Sequence, residues 1–186
     1  AYQSPFEKGE SKIDYPRNLV AALSYLFLKQ FDAVGLTFFN DTVIQHIPPR
    51  SKASHLQHIL HGLSTISPKG VTQIEKVLSG LAERLQGRGM LILVSDFLTR
   101  DQDIYKSIKL LRSRGLEVIL FHVLHPDELN LSFEDDTVFE SLEDDPTVEL
   151  DPIDIREEYQ KAIQEKIAQL KKISNGLGVD YVFMDT

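Results

Sequence analysis

Apolar residues fall along this chain in two rhythms, and the two alternate. Leu19, Ala22, Leu23, Leu26 and Phe27 repeat at i, i+3, i+4, i+7, i+8, which predicts a helix from about Tyr15 to Gln30 with those residues inward. Pro16 sits in its first turn, where a missing N–H costs nothing. The polar stretch before it, Ala1 to Lys12, reads as a loop. Ala33–Phe39 is almost wholly apolar, as a strand covered on both faces should be. Asn40-Asp41 signals a turn, Thr42–Ile47 should return antiparallel, and Pro48-Pro49 should end that strand.

Two helices are expected next. One runs from about Lys52 to Leu63 with Leu56, Ile59, Leu60 and Leu63 inward. The other runs from about Val71 to Leu85 with Ile74, Val77, Leu78, Leu81 and Leu85 inward. Met90–Val94 is a second buried-type strand, and a helix from about Asp101 to Arg114 follows, closed by Gly115. Leu116–Leu124 is a third such strand. A long helix from about Ile153 to Leu177 presents Tyr159, Ile163, Ile167, Leu170, Ile173 and Leu177 inward. Gly178 breaks it, and Val179–Met184 is the last strand. Apolar strands alternating with amphipathic helices imply an α/β fold: a doubly wound, mostly parallel sheet with one antiparallel edge strand.

Length and composition narrow the class. The 186 residues suit a single domain over 1–186. The absence of cysteine excludes disulfides, thiol catalysis and any Cys-based metal site. No run approaches the ~18 apolar residues of a membrane span, and no signal-peptide pattern opens the chain. The expectation is a cytoplasmic domain, one that a longer native protein could tether to a membrane. A net charge of -8 argues against a nucleic-acid partner. That charge is uneven: Asp127 to Asp151 holds eleven acids and no Lys or Arg, which leaves 17 acids against 20 bases elsewhere. Residues 126–151 therefore read as an acidic loop and hairpin inserted in the domain, with short strands at Thr137–Leu142 and Thr147–Leu150. Asp135, Asp136, Asp144 and Asp145 lack the spacing and turning glycine of a calcium loop. A solvated hairpin is the plain reading, and steering of a basic partner is the functional one.

Candidate chemistry is sparse. In such sheets ligands bind beyond the carboxyl ends of the strands. Asp96 follows the strand Met90–Val94, and Thr72 precedes a helix after Gly70. A carboxylate and a hydroxyl are hard donors suited to Mg²⁺. Each also has a structural role open to it: Thr72-Gln73-Ile74-Glu75 matches a capping box, and Asp96 can bond loop amides. His55, His58 and His61 share one predicted helix at i, i+3, i+6, a spacing that fits a solvated face better than a zinc pair. His122, inside an apolar strand, is expected to be buried and hydrogen-bonded, with His125 at the strand's end. Asp14, Asp32 and Asp180 show no partner for acid–base work. No nucleophile elbow, P-loop or dinucleotide fingerprint is present, and Gly87-Arg88-Gly89 leads into a strand instead of following one.

The succession SKIDY, DAVGLTFFND, IPPRSKASHL, KGVTQIEKVL, LILVSDF, LEVILFHVLHPDEL and VDYVFMDT resembles the bacterial domain-of-unknown-function 58 family over nearly the whole chain. PPRS, VSDF and FHVLHPDEL together make the likeness specific. The resemblance implies a von Willebrand factor type A-like fold with a metal-ion-dependent adhesion site, in which Thr72 and Asp96 match two ligand positions. The family's Asp-x-Ser-x-Ser run and first strand have no counterpart here. The chain is therefore expected to be truncated at its N-terminus, to lack the central strand, and to hold no metal, although Mg²⁺ would suit an intact site. In the family's strand order, that loss leaves Ala33–Phe39 and Met90–Val94 each with an open apolar edge. Those edges should close on each other or take a strand from another segment or chain, by dimerisation or strand exchange.

The resemblance also implies a non-enzymatic protein-binding adaptor that works beside a MoxR-type AAA+ ATPase. Two other readings stand against it: a metal-assisted phosphoesterase-type enzyme, for which the chain supplies no nucleophile near Asp96, and a purely structural domain in which Thr72 and Asp96 are relics.

Overall fold

The computed structural model describes residues 12–66, 72–85, 87–98, 104–131, 137–139, 148–150 and 152–186. The expected loop before Lys12 lies outside them. Contacts divide the chain into two compact units, Ala1–Gln73 and Ile74–Thr186.

In the first unit, helix α1 (Asp14–Lys29) leads into strands β1 (Val34–Phe39) and β2 (Val43–Arg50) and then helix α2 (His55–Thr65). Leu28, Ile59 and Leu63 are the buried centre, with Val20, Ala21, Val34, Leu36, Phe38 and Leu56 packed on it. The face of α1 that turns inward differs from the expected one. Ser24 and Leu28 are its buried residues, whereas Leu26 is 50% exposed and Ala22 is also exposed. The helix is apolar on most of its circumference, so periodicity alone does not choose between neighbouring stripes. In α2, Ile59 and Leu63 face inward as expected, but Leu60 is exposed.

β1 and β2 pair antiparallel, with Leu36 opposite Ile47 and Val34 opposite Arg50 across a register shift. Pro48 and Pro49 lie inside β2 and do not end it. A proline removes only a donor, and a strand with no neighbour on its outer side does not need that donor. Gly35 makes the crowding tolerable: a Cβ there would stand 3.0 Å from both the Ile47 carbonyl oxygen and the Pro49 nitrogen. Asp14 is not partnerless either, since it pairs with Arg17 at 3.0 Å on the first turn of α1.

The second unit holds helix α3 (Ile74–Arg84), strand β3 (Gly89–Ser95), helix α4 (Ile104–Ser113) and strand β4 (Leu116–Leu124). Helix α5 (Pro126–Asn130), strands β5 (Thr137–Phe139) and β6 (Val148–Leu150), helix α6 (Pro152–Gly176) and strand β7 (Asp180–Asp185) complete it. β3, β4 and β7 form a parallel sheet in that order, in register from Gly89 opposite Leu116 to Ser95 opposite His122. β4 is the centre and is the most buried strand, with Leu120 and Leu124 fully inaccessible. Ile74, Val77, Leu78 and Leu81 of α3 are buried as their spacing predicts. Gly115 has φ 88° in the turn between α4 and β4, a conformation that favours glycine.

Helix α5 is not foreseen by periodicity, because five residues are too few to show one. Local chemistry makes it: Pro126 opens it, and His125 and Glu128 form a capping box. Its far end is held by α6, where Arg156 Nε donates to the Leu131 carbonyl (3.1 Å) and Gln160 Nε2 to that of Asn130 (3.0 Å). β5 and β6 pair antiparallel, Val138 opposite Glu149. The remainder of the two expected hairpin strands lies outside the described residues.

One doubly wound sheet is therefore not what the described strands form. They make a three-strand parallel sheet, a two-strand antiparallel sheet and the small β5–β6 pair. β1 and β3 belong to separate sheets, so their edges do not close on each other in one ladder. Among the described residues, β4 is the ladder partner of β3.

Candidate functional site

The carboxyl end of β3 runs into two consecutive side-chain turns. Ser95 Oγ accepts from the Phe97 amide at 3.1 Å, and Asp96 Oδ1 accepts from the Leu98 amide at 3.3 Å. These bonds hold Phe97 in the left-handed region, φ 49°, with its ring only 3% exposed. Such a backbone is uncommon for a bulky residue and persists only where its surroundings fix it. The ring stands edge-on to His122, 5.4 Å between centroids. Asp96 thus performs the amide-binding role open to it, and does so half-buried at a strand end.

Lys166 of α6 is the site residue that sequence reasoning missed. Burial pushes its ammonium below the usual lysine range, while the negative charge of Asp96 pulls the other way. The Asp96 carboxylate therefore sits in the field of a cation from a helix far along the chain. The sequence signal was faint: Lys166 stands beside the inward positions Ile163 and Ile167, and nothing else distinguishes it from the lysines of the solvated face.

Behind this edge an aromatic cluster gathers around one buried imidazole. His122 is 1% exposed, and its Nδ1 shares a 2.7 Å hydrogen bond with the Tyr181 hydroxyl. Phe183 meets the same imidazole edge-on at 5.5 Å. Burial raises the Tyr181 phenol to about 12, which keeps it neutral across the physiological range. His122 is buried and bonded, as expected for a histidine in an apolar strand.

The other expected residues have partners and surroundings of their own. Thr72 is in the first unit, half-buried and two residues ahead of the first residue of α3. With the helix opening at Ile74, Gln73 takes the N-cap position, and the Gln73 amide donates to the Asn40 carbonyl at 3.1 Å. Thr72 is one place too early for the capping box its motif suggests. Of the three clustered histidines, His58 and His61 are exposed, but His55 is 5% exposed and does not belong to a solvated face. Its Nε2 lies 3.0 Å from the Val34 carbonyl, a partner in β1 that no helix spacing reveals. His125 caps α5, its Nδ1 3.3 Å from the Asp127 amide.

A divalent cation needs several converging oxygens. Among the described residues no group of three or more His, Asp or Glu side chains could hold one. Asp96 already serves a backbone amide and interacts electrostatically with Lys166. The donors among the described residues do not fit a Mg²⁺ shell.

The fold and this edge define the class: a mixed α/β protein whose parallel sheet ends in a carboxylate-bearing turn packed on a buried histidine. The chain belongs to the family described as protein of unknown function DUF58, whose model matches residues 5–169. Two solved structures share its fold. One is an aerotolerance-related membrane protein from Bacteroides fragilis NCTC 9343, with multiple mutations to serines. It is 16% identical with a TM-score of 0.58, over 95% of this chain and 82% of that one. The other is the conserved hypothetical protein BatB from Bacteroides thetaiotaomicron, 17% identical with a TM-score of 0.55, over 95% and 81%. No curated protein matches. No helix among the described residues is long and apolar enough to cross a membrane.

Proposed function

We propose that this chain is a non-enzymatic protein-binding adaptor domain of von Willebrand factor type A-like fold, acting beside a MoxR-type AAA+ ATPase. Thr72 and Asp96 are, on this reading, remnants of an adhesion-type site. The observation that carries it is the carboxyl edge of β3, where Asp96 and Lys166 set opposite charges at a strand end fixed by the Phe97 turn. A rigid, charged edge suits recognition of a partner's polar groups, because its geometry is paid for in advance. Likeness in fold to the aerotolerance-related membrane protein and to BatB supports the same class of protein. The acidic segment adds long-range attraction toward a basic surface and speeds encounter more than it strengthens the bond.

The test is capture of a purified MoxR-type ATPase by the immobilised protein, compared with Asp96→Ala and with Lys166→Gln. Capture lost in both variants supports the edge as the contact. Capture unchanged in both overturns its role, and no capture by the unaltered protein overturns the partner. Turnover of p-nitrophenyl phosphate that Asp96→Ala abolishes would instead favour an enzyme.

A further inference from the structure

A cleft of about 350 Å³ opens between strand β2 and helix α2, wholly within the first unit. That volume is at the small end of the range for ligand sites. Gln45, His46, Gln57, His58 and His61 line it, with two apolar residues of β2. Every one of those polar side chains can donate a hydrogen bond, and none is a carboxylate. Gly62 sets how closely the walls approach: a Cβ there would stand 2.9 Å from Ile47 Cδ1 and 3.3 Å from a Phe38 ring carbon.

Two of the three imidazoles are held from behind. His46 Nδ1 lies 2.8 Å from Thr37 Oγ1 on β1, which leaves its Nε2 to meet a ligand. His58 stacks on His55, with 5.9 Å between centroids and 29° between planes. His55 is itself buried and bonded through Nε2 to the Val34 carbonyl. Rings fixed in this way lose little freedom when something binds.

Charge around the cleft is one-sided. In a chain of net charge -8, β1, β2 and α2 contain no Asp or Glu, and Arg50 is their one permanently charged residue. Helix α1, packed on α2, carries Asp14, Arg17 and Lys29, the first two paired with each other. Asp41 precedes β2 and Lys52 follows it. None of these lines the cleft. A metal is not the occupant, because among the described residues no three His, Asp or Glu side chains could hold one. Imidazoles too widely set for an ion, reaching in from a strand and from a helix, suit a group with oxygens pointing in several directions. A tetrahedral phosphate has that shape, and a planar carboxylate does not.

We infer that this cleft binds the phosphate group of a small ligand, through His46 on one wall and His58 and His61 on the other. Imidazole is the side chain whose charge ordinarily changes between about pH 5 and 8. The cleft therefore gains positive charge, and affinity for the anion, as pH falls. It lies in the first unit and Asp96 in the second, so its test and the capture of an ATPase succeed or fail separately.

The full chain has six histidines, few enough for their imidazole signals to be followed singly by NMR. Titration with inorganic phosphate at constant ionic strength should move the signals of His46, His58 and His61 along one saturating curve and leave that of His122 unmoved. Sulfate, tetrahedral and doubly charged throughout, should bind about tenfold more tightly near pH 6 than near pH 8. Oxalate, planar and of the same charge, should bind more weakly than sulfate. His58→Gln with His61→Gln should weaken phosphate about tenfold, and Gln57→Glu, which sets a carboxylate in the lining, should weaken it too. All three positions are exposed, so the fold bears these changes. Absence of saturation, an unchanged curve in the variants, or a sulfate affinity indifferent to pH overturns the inference. Oxalate bound as tightly as sulfate overturns the assignment to phosphate.

Discussion

At the scale of single residues, the hydrogen-bonded pair His122–Tyr181 makes a claim about alkaline pH. The Tyr181 phenol is raised to about 12 by burial, against about 10 in an unfolded chain. Between those values the folded protein keeps a proton that the unfolded chain has released, so stability falls as pH rises through the window and is whole below it. Tyr181 is partly exposed, so the fall is smaller than full burial would give. Denaturant titrations at steps from neutral to strongly alkaline pH should show this decline in the unaltered protein. Tyr181→Phe should reduce the slope, leaving the part due to Tyr105 and Tyr159, which burial also raises, and should lower stability near neutrality by about 1 kcal/mol, the worth of one hydrogen bond. An identical slope in both would assign the decline to other groups. His122 itself was legible as a buried strand histidine, but its partner was not, since Tyr181 reaches it across the β4–β7 ladder. Asp96 was likewise legible from its place after an apolar strand. Lys166 was not, because its approach depends on how α6 packs.

Among elements, the close pairing of β1 with β2 rests on Gly35. Gly35→Ala would push a methyl against the Ile47 oxygen and the Pro49 ring, both fixed in the neighbouring strand. Destabilisation of about 1–3 kcal/mol is expected, read as a lower midpoint in urea with unchanged slope. An unaltered midpoint would mean that β2 has room to retreat. The sequence located α3, β3 and β4 well, because each is either cleanly periodic or a short apolar run between breakers. It misjudged α1 because Leu19 to Leu28 is nearly all apolar, and a stripe cannot be chosen where every stripe qualifies. The Pro48-Pro49 pair misled for another reason: proline ends a central strand, and β2 is not one.

For the whole molecule, contacts divide the chain at Gln73–Ile74 into two compact units. Leu28, Ile59 and Leu63 are the buried centre of the first, and Leu78, Leu111, Leu120 and Leu124 are fully buried in the second. Leu63→Ala should destabilise the first unit by about 2–5 kcal/mol, read as faster amide exchange in β1 and α2. Equal loss of protection in β4 would mean that the two units open together. Nothing in the apolar pattern marks that division, because strands and helices alternate across it without a break.

The clamp between α5 and α6 makes the acidic segment a cassette. Arg156 and Gln160, near the start of α6, grip the carbonyls of Leu131 and Asn130, where the segment departs. Its two ends are anchored at one place, so the closing cost of whatever lies between grows only slowly with length. Exchanging residues 132–151 for a short glycine-containing turn is then expected to leave the β3–β4–β7 ladder as it stands, read as unchanged amide-exchange protection in those strands. A lineage carrying this domain could rewrite its acidic surface freely without rebuilding the protein beneath it.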